Sequence, residues 1–423
     1  ERRSTRDGRN EFNEKSHDKL FNQCENTMNV LKQITTAILA IFVFTATAVA
    51  QGTSNAPDSV TLFKNVKVFD GKQDKLQAMD VLVVKNKIYK VAKDIPTSGT
   101  WEIDVKTGGA KQIKSPVGGF FEYTFETYSE QKKEKKSVKV NVIDGGGRTL
   151  MPGLIDSHVH LNMYKDGTIA TLEGTTWEEI GARATVLANE MLQMGFTTVR
   201  DMGGTHEGLK KVVDEGLLPG PRIYLAGGFI SQTAGHGDFG SATQKKGETN
   251  MERLGLARLA DGRDEILEAG RLNFAQGAHY LKIMVSGGVT SIKDPIYASQ
   301  YTDDEVLAAV ETAADWDSYV AVHVHQDADV GRALDLGVKC IDHGLTISEK
   351  NMQKLVEKGA FYSPNLTALA KEALEHPMHQ DPEFPPTKKY MWLFNNSAGY
   401  RAFRNADGTP SIRSPNARST DRG

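Results

Sequence analysis

Seven short apolar runs, each followed by a loop and then a helix-like stretch, constrain this chain more than any other feature. They are the run ending at His158 and residues 197–201, 222–226, 280–285, 319–325, 338–343 and 360–363. Near-continuous apolar strands alternating with helices predict a buried parallel sheet. Seven such units fit a closed α/β barrel better than an open sheet. The intervening stretches agree: from Trp177 to Met194, Ile180, Ala184, Leu187 and Met191 recur at helical spacing before Gly195, a helix stop. With 423 residues, 39% of them hydrophobic, the chain can bury a core of that size. A net charge of -3 argues against a polyanionic partner, so nucleic acid is excluded as a ligand class. The one basic run, Gln131-Lys-Lys-Glu-Lys-Lys136, reads as a solvated hairpin turn.

The polar residues at the ends of these runs carry the chemistry. His158 and His160, at i and i+2 where an apolar strand ends, project to one face, so two imidazoles can converge on one metal ion. Taken alone such a pair is more often a surface or core feature. The same spacing returns in His323 and His325, however, and His343 ends the next run. Hydrogen bonding at strand ends explains any one of these histidines, but not four at corresponding strand ends, where barrel active sites lie. Lys282 sits inside the apolar run Tyr280-Leu-Lys-Ile-Met-Val285, where burial would desolvate its ammonium and lower its pKa. His236, in Gly235-His-Gly-Asp238, belongs either to a tight turn or to a substrate contact at the barrel mouth.

The phrase Met151-Pro-Gly-Leu-Ile-Asp-Ser-His-Val-His160 closely resembles the first barrel strand of the amidohydrolase superfamily. Ser231-Gln-Thr-Ala-Gly-His-Gly-Asp238 and Lys282-Ile-Met-Val-Ser-Gly-Gly-Val-Thr-Ser291 resemble its metallo-dipeptidase and carboxypeptidase group, labelled Xaa-Pro dipeptidase or imidazolonepropionase-related. The resemblance covers roughly residues 58–375. It implies a (β/α)8 TIM-type barrel with a flanking small β-sandwich, and a metal-dependent hydrolase that cleaves an amide bond to release a C-terminal residue. It also implies two divalent metals held by His158, His160, Lys282, His323 and His343, with Lys282 carboxylated as the bridging ligand. His325 and His236 then contact substrate, although His323 and His325 could exchange roles. Nitrogen and carboxylate donors suit zinc, and manganese, iron or cobalt would fit the same set.

Three regions stand apart from the barrel at 149–375. From residue 58 to 148, strand patterns at 60–69, 80–84 and 87–91 and a hairpin around 120–142 form the expected β-rich flank. Met28, Lys32, the apolar stretch 34–46 and Ala48-Val-Ala50 have the form of a signal peptide over 28–50, which implies an exported protein with no membrane segment after cleavage. Residues 1–27 read as a non-structural upstream segment. Cleavage after Ala50 would remove Cys24 and leave Cys340 as the sole cysteine, with no intrachain disulfide. Residues 376–423 read as polar and aperiodic, so the barrel is expected to stop after its seventh strand, without the aspartate that ends the eighth strand in the superfamily and protonates the leaving nitrogen. The expected partner is a small peptide or amide, and a homo-oligomer is compatible with the chain. A hydrolase of cyclic amides, or a fragment that only binds metal, would share these donors.

Overall fold

The computed structural model describes residues 59–103, 110–114, 122–129, 132–163, 174–241, 243–365 and 385–396. The expected upstream segment and signal peptide lie outside the described residues, and so does most of 376–423. The chain divides into two compact units, Glu1–Pro152 and Gly153–Gly423. Among the described residues no helix is long and apolar enough to cross a membrane.

The first unit is β-rich, as the alternating runs predict. Its strands are β1 (Val60–Val68), β2 (Gln77–Val84), β3 (Lys87–Ala92), β4 (Gly99–Ile103), β5 (Ala110–Lys114), β6 (Glu122–Ser129), β7 (Lys132–Asp144) and β8 (Thr149–Leu150). They form one hydrogen-bonded path, β3-β2-β1-β7-β6-β4-β5, with β8 added to β1. Alternate residues Val60 and Leu62 of β1, Leu82 and Val84 of β2, and Val140 of β7 bury one face together with Ile95.

The basic run corrects one expectation. It is not the hairpin turn but the start of β7, in antiparallel register with β6 so that Lys135 lies opposite Glu126 and Lys133 opposite Tyr128. Charge alone suggested a turn, but cross-strand pairing of opposite charges, as between Lys135 and Glu126, lets a basic run form a strand.

The second unit repeats strand and helix. All seven predicted strands form: β9 (Leu154–Val159), β10 (Phe196–Asp201), β11 (Arg222–Leu225), β14 (Leu281–Met284), β15 (Val320–Val324), β16 (Cys340–His343) and β17 (Phe361–Ser363), with β12 (Phe229–Ser231) and β13 (Ala257–Leu259) inserted after β11. Between them lie α1 (Trp177–Gln193), α2 (Glu207–Asp214), α3 (Asn250–Arg253), α4 (Arg263–Ala275), α5 (Asp303–Asp315), α6 (Asp327–Asp335) and α7 (Glu349–Glu357). Every pairing in this unit between named strands is parallel. Strands β9 to β11 form one sheet and β12 to β17 another. His279 N donates to Leu225 O at 2.7 Å and links the two at β11 and β14.

Local sequence explains these elements. All five residues of β15, Val-Ala-Val-His-Val, are buried, as a strand covered on both faces requires. Helix α1 buries Ile180, Ala184, Ala188 and Met191, and Thr176 caps it by accepting from Glu179 N. Helix α5 opens on a reciprocal capping box between Thr302 and Glu305. Ile266 of α4, Val306 of α5 and Val330 of α6 pack on Ile283, Val322 and Ile341 of the strands to form the main core.

At the other margin, β9 and β17 share no backbone pairing among the described residues. Ser157 Oγ and Ser363 Oγ meet at 2.9 Å, while Ile155 and Phe361 are exposed. The tail differs from its sequence reading. Pro385–Asn396 forms a helix, α8, which buries Tyr390 and Leu393. Pro385 and Pro386 suit a helix start, where a missing N–H is no loss. The pair Lys388-Lys389 interrupts the apolar spacing, and Lys389 is itself buried, so a polarity pattern alone misses this helix.

Candidate active site

Strand ends deliver the predicted residues to one place. His158 lies in β9 and His160 one residue past it, with ring centroids 5.3 Å apart. His343, the last residue of β16, brings its ring within 4.7 Å of His158 and 4.6 Å of His323. His325 stands 4.7 Å from His323 and 5.2 Å from His343. His236, in the loop after β12, stacks on His323 at 4.0 Å with the planes 25° apart. The structure thus unites six histidines that are dispersed in sequence. Backbone conformation marks the same spot: His343 has φ 68°, a left-handed conformation uncommon outside glycine and one that clusters at functional sites.

Burial sets the protonation of these rings. It is the largest influence on each of them, holding His160 and His325 at about 3 and His236 at about 4, and lowering His158, His323 and His343. Neutral imidazoles with free lone pairs are therefore what this site offers at neutral pH. Two of them are already oriented. His158 Nδ1 lies 2.9 Å from Asp342 Oδ1, and His160 Nδ1 lies 2.9 Å from Gly203 O. A carboxylate and a backbone carbonyl on Nδ1 are the partners that metal-ligating histidines use, and they leave Nε2 for the ligand bond.

Lys282 is buried in β14, and its Nζ has no hydrogen-bond partner; Asp342 Oδ2 is 3.8 Å away. Desolvation, opposed by Asp342, lowers its pKa to about 8, so a substantial neutral fraction exists near pH 7 to 8. His325 Nδ1 is the other buried side-chain nitrogen left without a partner among the described residues. A partnerless polar atom in a core is costly unless something completes it. No three His, Cys, Asp or Glu side chains among the described residues are already arranged around a common point. The fit to metal rests instead on donor chemistry: neutral rings, two with oriented Nδ1 atoms, and two orphaned nitrogens in one buried cluster.

Sequence reasoning passed over the groups that organise the cluster. Asp342, between Ile341 and His343, is fully buried; burial pushes its carboxyl up, but Lys282, His158 and Arg200 together outweigh that and hold it at about 2. Arg200, on β10, donates from Nη2 to Asp342 Oδ1 at 2.8 Å, from Nε to Ser157 O at 2.6 Å, and from Nη1 to Cys340 Sγ at 3.0 Å. A charged residue inside a strand run, Arg200 in Thr-Val-Arg-Asp and Asp342 in Cys-Ile-Asp-His, was the available signal for both. Asp201 at the end of β10 plays a similar part, accepting from Leu161 N at 2.7 Å and Gly203 N at 3.0 Å. It thereby fixes the turns that follow His160 and that carry the His160 acceptor. Asp381, Asp407 and Asp421, the aspartates that follow β17 in sequence, lie outside the described residues.

Comparison with known proteins agrees with this geometry. The Amidohydrolase family model matches residues 149–389, more than half of the chain. The ochratoxinase of Aspergillus niger is 35% identical over 228 residues, covering 50% of this chain and 47% of that protein. The chain thus spans about half the length of the curated relatives it matches first. Among solved structures, a prolidase complexed with N-methylphosphonate-L-proline aligns with a TM-score of 0.65 at 29% identity, over 80% of this chain and 74% of the other. A Xaa-Pro dipeptidase with methionine bound in its active site aligns at 0.61 with 27% identity over the same shares.

Proposed function

Because this chain belongs to the amidohydrolase family, we propose that it is a metal-dependent hydrolase that cleaves the amide bond to the C-terminal residue of a small peptide, of the Xaa-Pro or a similar type. The observation that carries this reading is the buried donor cluster at the strand ends, in which His158 and His160 have their Nδ1 atoms fixed and Lys282 and His325 have nitrogens without partners. His158, His160, Lys282, His323 and His343 would hold two divalent metals, zinc by donor type, with a carboxylated Lys282 between them. His325, with its orphaned nitrogen, is the alternative to His323.

Such metals, when bound, supply a nucleophile at neutral pH and polarise the scissile carbonyl. The chain's own groups do the rest. Asp342 and Gly203 O set the ring orientation of the first histidine pair. Burial keeps every ring unprotonated and therefore able to donate a lone pair. His236 and His325 face the cluster as neutral rings that can hydrogen-bond a substrate oxygen or nitrogen. The prolidase and dipeptidase neighbours support a peptide substrate, and the ochratoxinase relative supports amide hydrolysis.

The test is a zinc- and bicarbonate-loaded preparation assayed against dipeptides ending in proline, dipeptides ending in other residues, N-acyl amino acids and a small lactam. Release of the C-terminal amino acid is the expected result, and metal content should approach two per chain. Opening of the lactam with no dipeptide cleavage would move the reading to cyclic amides. Metal binding with no turnover of any substrate would overturn catalysis altogether.

A further inference from the structure

Helix α8 brings a buried cation to the side of His236. Lys389 Nζ donates to Ser291 O at 2.8 Å, Gly288 O at 3.0 Å and Ser291 Oγ at 3.3 Å, and pairs with Asp294 Oδ1 at 3.2 Å. All of these acceptors belong to the loop that leaves β14 just after Lys282. From there the network reaches His236 twice. Ser291 Oγ lies 2.8 Å from His236 Nδ1, and Asp294 Oδ2 accepts from Gln300 Nε2 at 3.2 Å, while Gln300 Oε1 accepts from His236 N at 3.1 Å. Asp294 Oδ2 also takes Gly288 N at 2.9 Å. Both the ring and the backbone of His236 are therefore tied to the loop that Lys389 holds.

A lysine is not needed to dock the helix. Leu393 of α8 already packs on Ile296 and Leu345, an apolar anchor that a methionine at 389 would leave untouched. Burying an ammonium and its carboxylate is, moreover, weak as a source of stability and better suited to fixing one geometry. The space beside the ring is filled as well: a Cβ on Gly288 would lie 2.1 Å from His236 Nδ1.

We propose that Lys389 is a positioning residue that clamps the loop after β14, so that Ser291 holds the His236 ring against His323, and that α8 is thereby a working part of the active site. The kinetic arm of its test rests on the hydrolase reading given above, and the spectroscopic arm does not. Lys389→Met and Ser291→Ala are made in the full chain, the second cutting the link to the His236 ring while leaving Lys389 its carbonyl and carboxylate partners. In the purified protein with ¹⁵N-labelled histidine and no added metal, the His236 ring signals, assigned by His236→Gln, should shift or broaden in both variants while those of His206 and His279 stay in place. With a C-terminal proline dipeptide, kcat/KM should fall about 10- to 100-fold at unchanged metal content, the penalty expected of a misplaced active-site group.

Unmoved His236 signals in Lys389→Met would overturn the proposal. If that variant does not fold, Ser291→Ala decides, and unmoved His236 signals there overturn it equally. A parent chain that cleaves no peptide defeats the hydrolase reading, yet the histidine spectra still decide the role of Lys389.

Discussion

Asp342→Asn removes one charge and almost no volume, so its consequences can be worked from the contacts of a single carboxylate. Asp342 faces Arg200 Nη2 at 2.8 Å, His158 Nδ1 at 2.9 Å and Lys282 Nζ at 3.8 Å, with no exposed surface. An amide can keep its oxygen toward Arg200 and His158, which share Oδ1, but its NH2 then replaces Oδ2 and points a donor at Lys282 Nζ and Cys340 Sγ, and the negative charge is gone. Two magnitudes bracket the effect. A carboxyl held at about 2, against an ordinary value of 3.8, contributes about 2 kcal/mol at neutral pH. Leaving a fully buried guanidinium without its counter-charge costs about 3 to 5 kcal/mol, an upper bound for the half-buried Arg200. The variant should therefore lose about 2 to 5 kcal/mol in urea unfolding at pH 7, a large share of the 5 to 15 kcal/mol typical of a domain.

The pH dependence has a definite sign. Because the folded carboxyl titrates below the unfolded one, its contribution is complete above about pH 4 and disappears as pH falls through about 2, with about half left at pH 3. The stability gap between parent and variant should narrow over that window. Metal affinity should also fall about 10- to 100-fold, since the partner that orients His158 loses its negative charge. Equal stability at pH 7, or a gap that stays constant from pH 5 to 3, would refute the account of Asp342 as the charged centre of the site.

Lys282→Ala should abolish most activity and lower the metal content below that of the parent, and a short carboxylic acid should restore part of both; unchanged activity would place the bridge elsewhere. Gly288→Ala should displace the His236 ring, because the new Cβ would sit 2.1 Å from its Cε1 and Nδ1, at a cost of about 1 to 3 kcal/mol in stability. A parent-like histidine spectrum in that variant would contradict the crowding. Chelation should remove activity, and zinc with bicarbonate should return it; hydrolysis that persists in metal-free protein would remove the metal from the mechanism.

The parts of this molecule written in local pattern were legible in its sequence. Strand β15 is buried along its whole length, so Val-Ala-Val-His-Val reads directly as a strand, and the i, i+2 histidines at its end and at the end of β9 share a face by strand geometry alone. Lys282 was legible for the same reason, as the one charge in an apolar run. What stayed hidden depends on contacts that only topology creates. Arg200 meets Asp342 across 142 residues, and Lys389 meets the backbone of Ser291 across 98. No periodicity connects such pairs. Helix α8 was invisible because the residue that makes it functional, Lys389, also breaks its apolar stripe, and the basic run in β7 misled because charge marks solvent exposure and not a turn.

The arrangement around Asp342 bears on why a lysine should stand in the donor cluster. Arg200 remains protonated at any pH the fold survives, and its short hydrogen bond, together with that from His158, occupies Asp342 Oδ1. Lys282 is left with Oδ2 at 3.8 Å, too far for a hydrogen bond, and burial disfavours its ammonium. One carboxylate thus serves two cationic groups, and its hydrogen-bonded oxygen is turned to the guanidinium and not to Lys282. A lysine in that position is released toward its neutral, nucleophilic form, which is the form that carbon dioxide can carboxylate. The resulting carbamate would supply the negative charge that a pair of divalent metals among neutral imidazoles otherwise lacks. On this reading Arg200 would act on the donor cluster at a distance, by holding Asp342 Oδ1 and by adding a positive charge that disfavours the ammonium of Lys282.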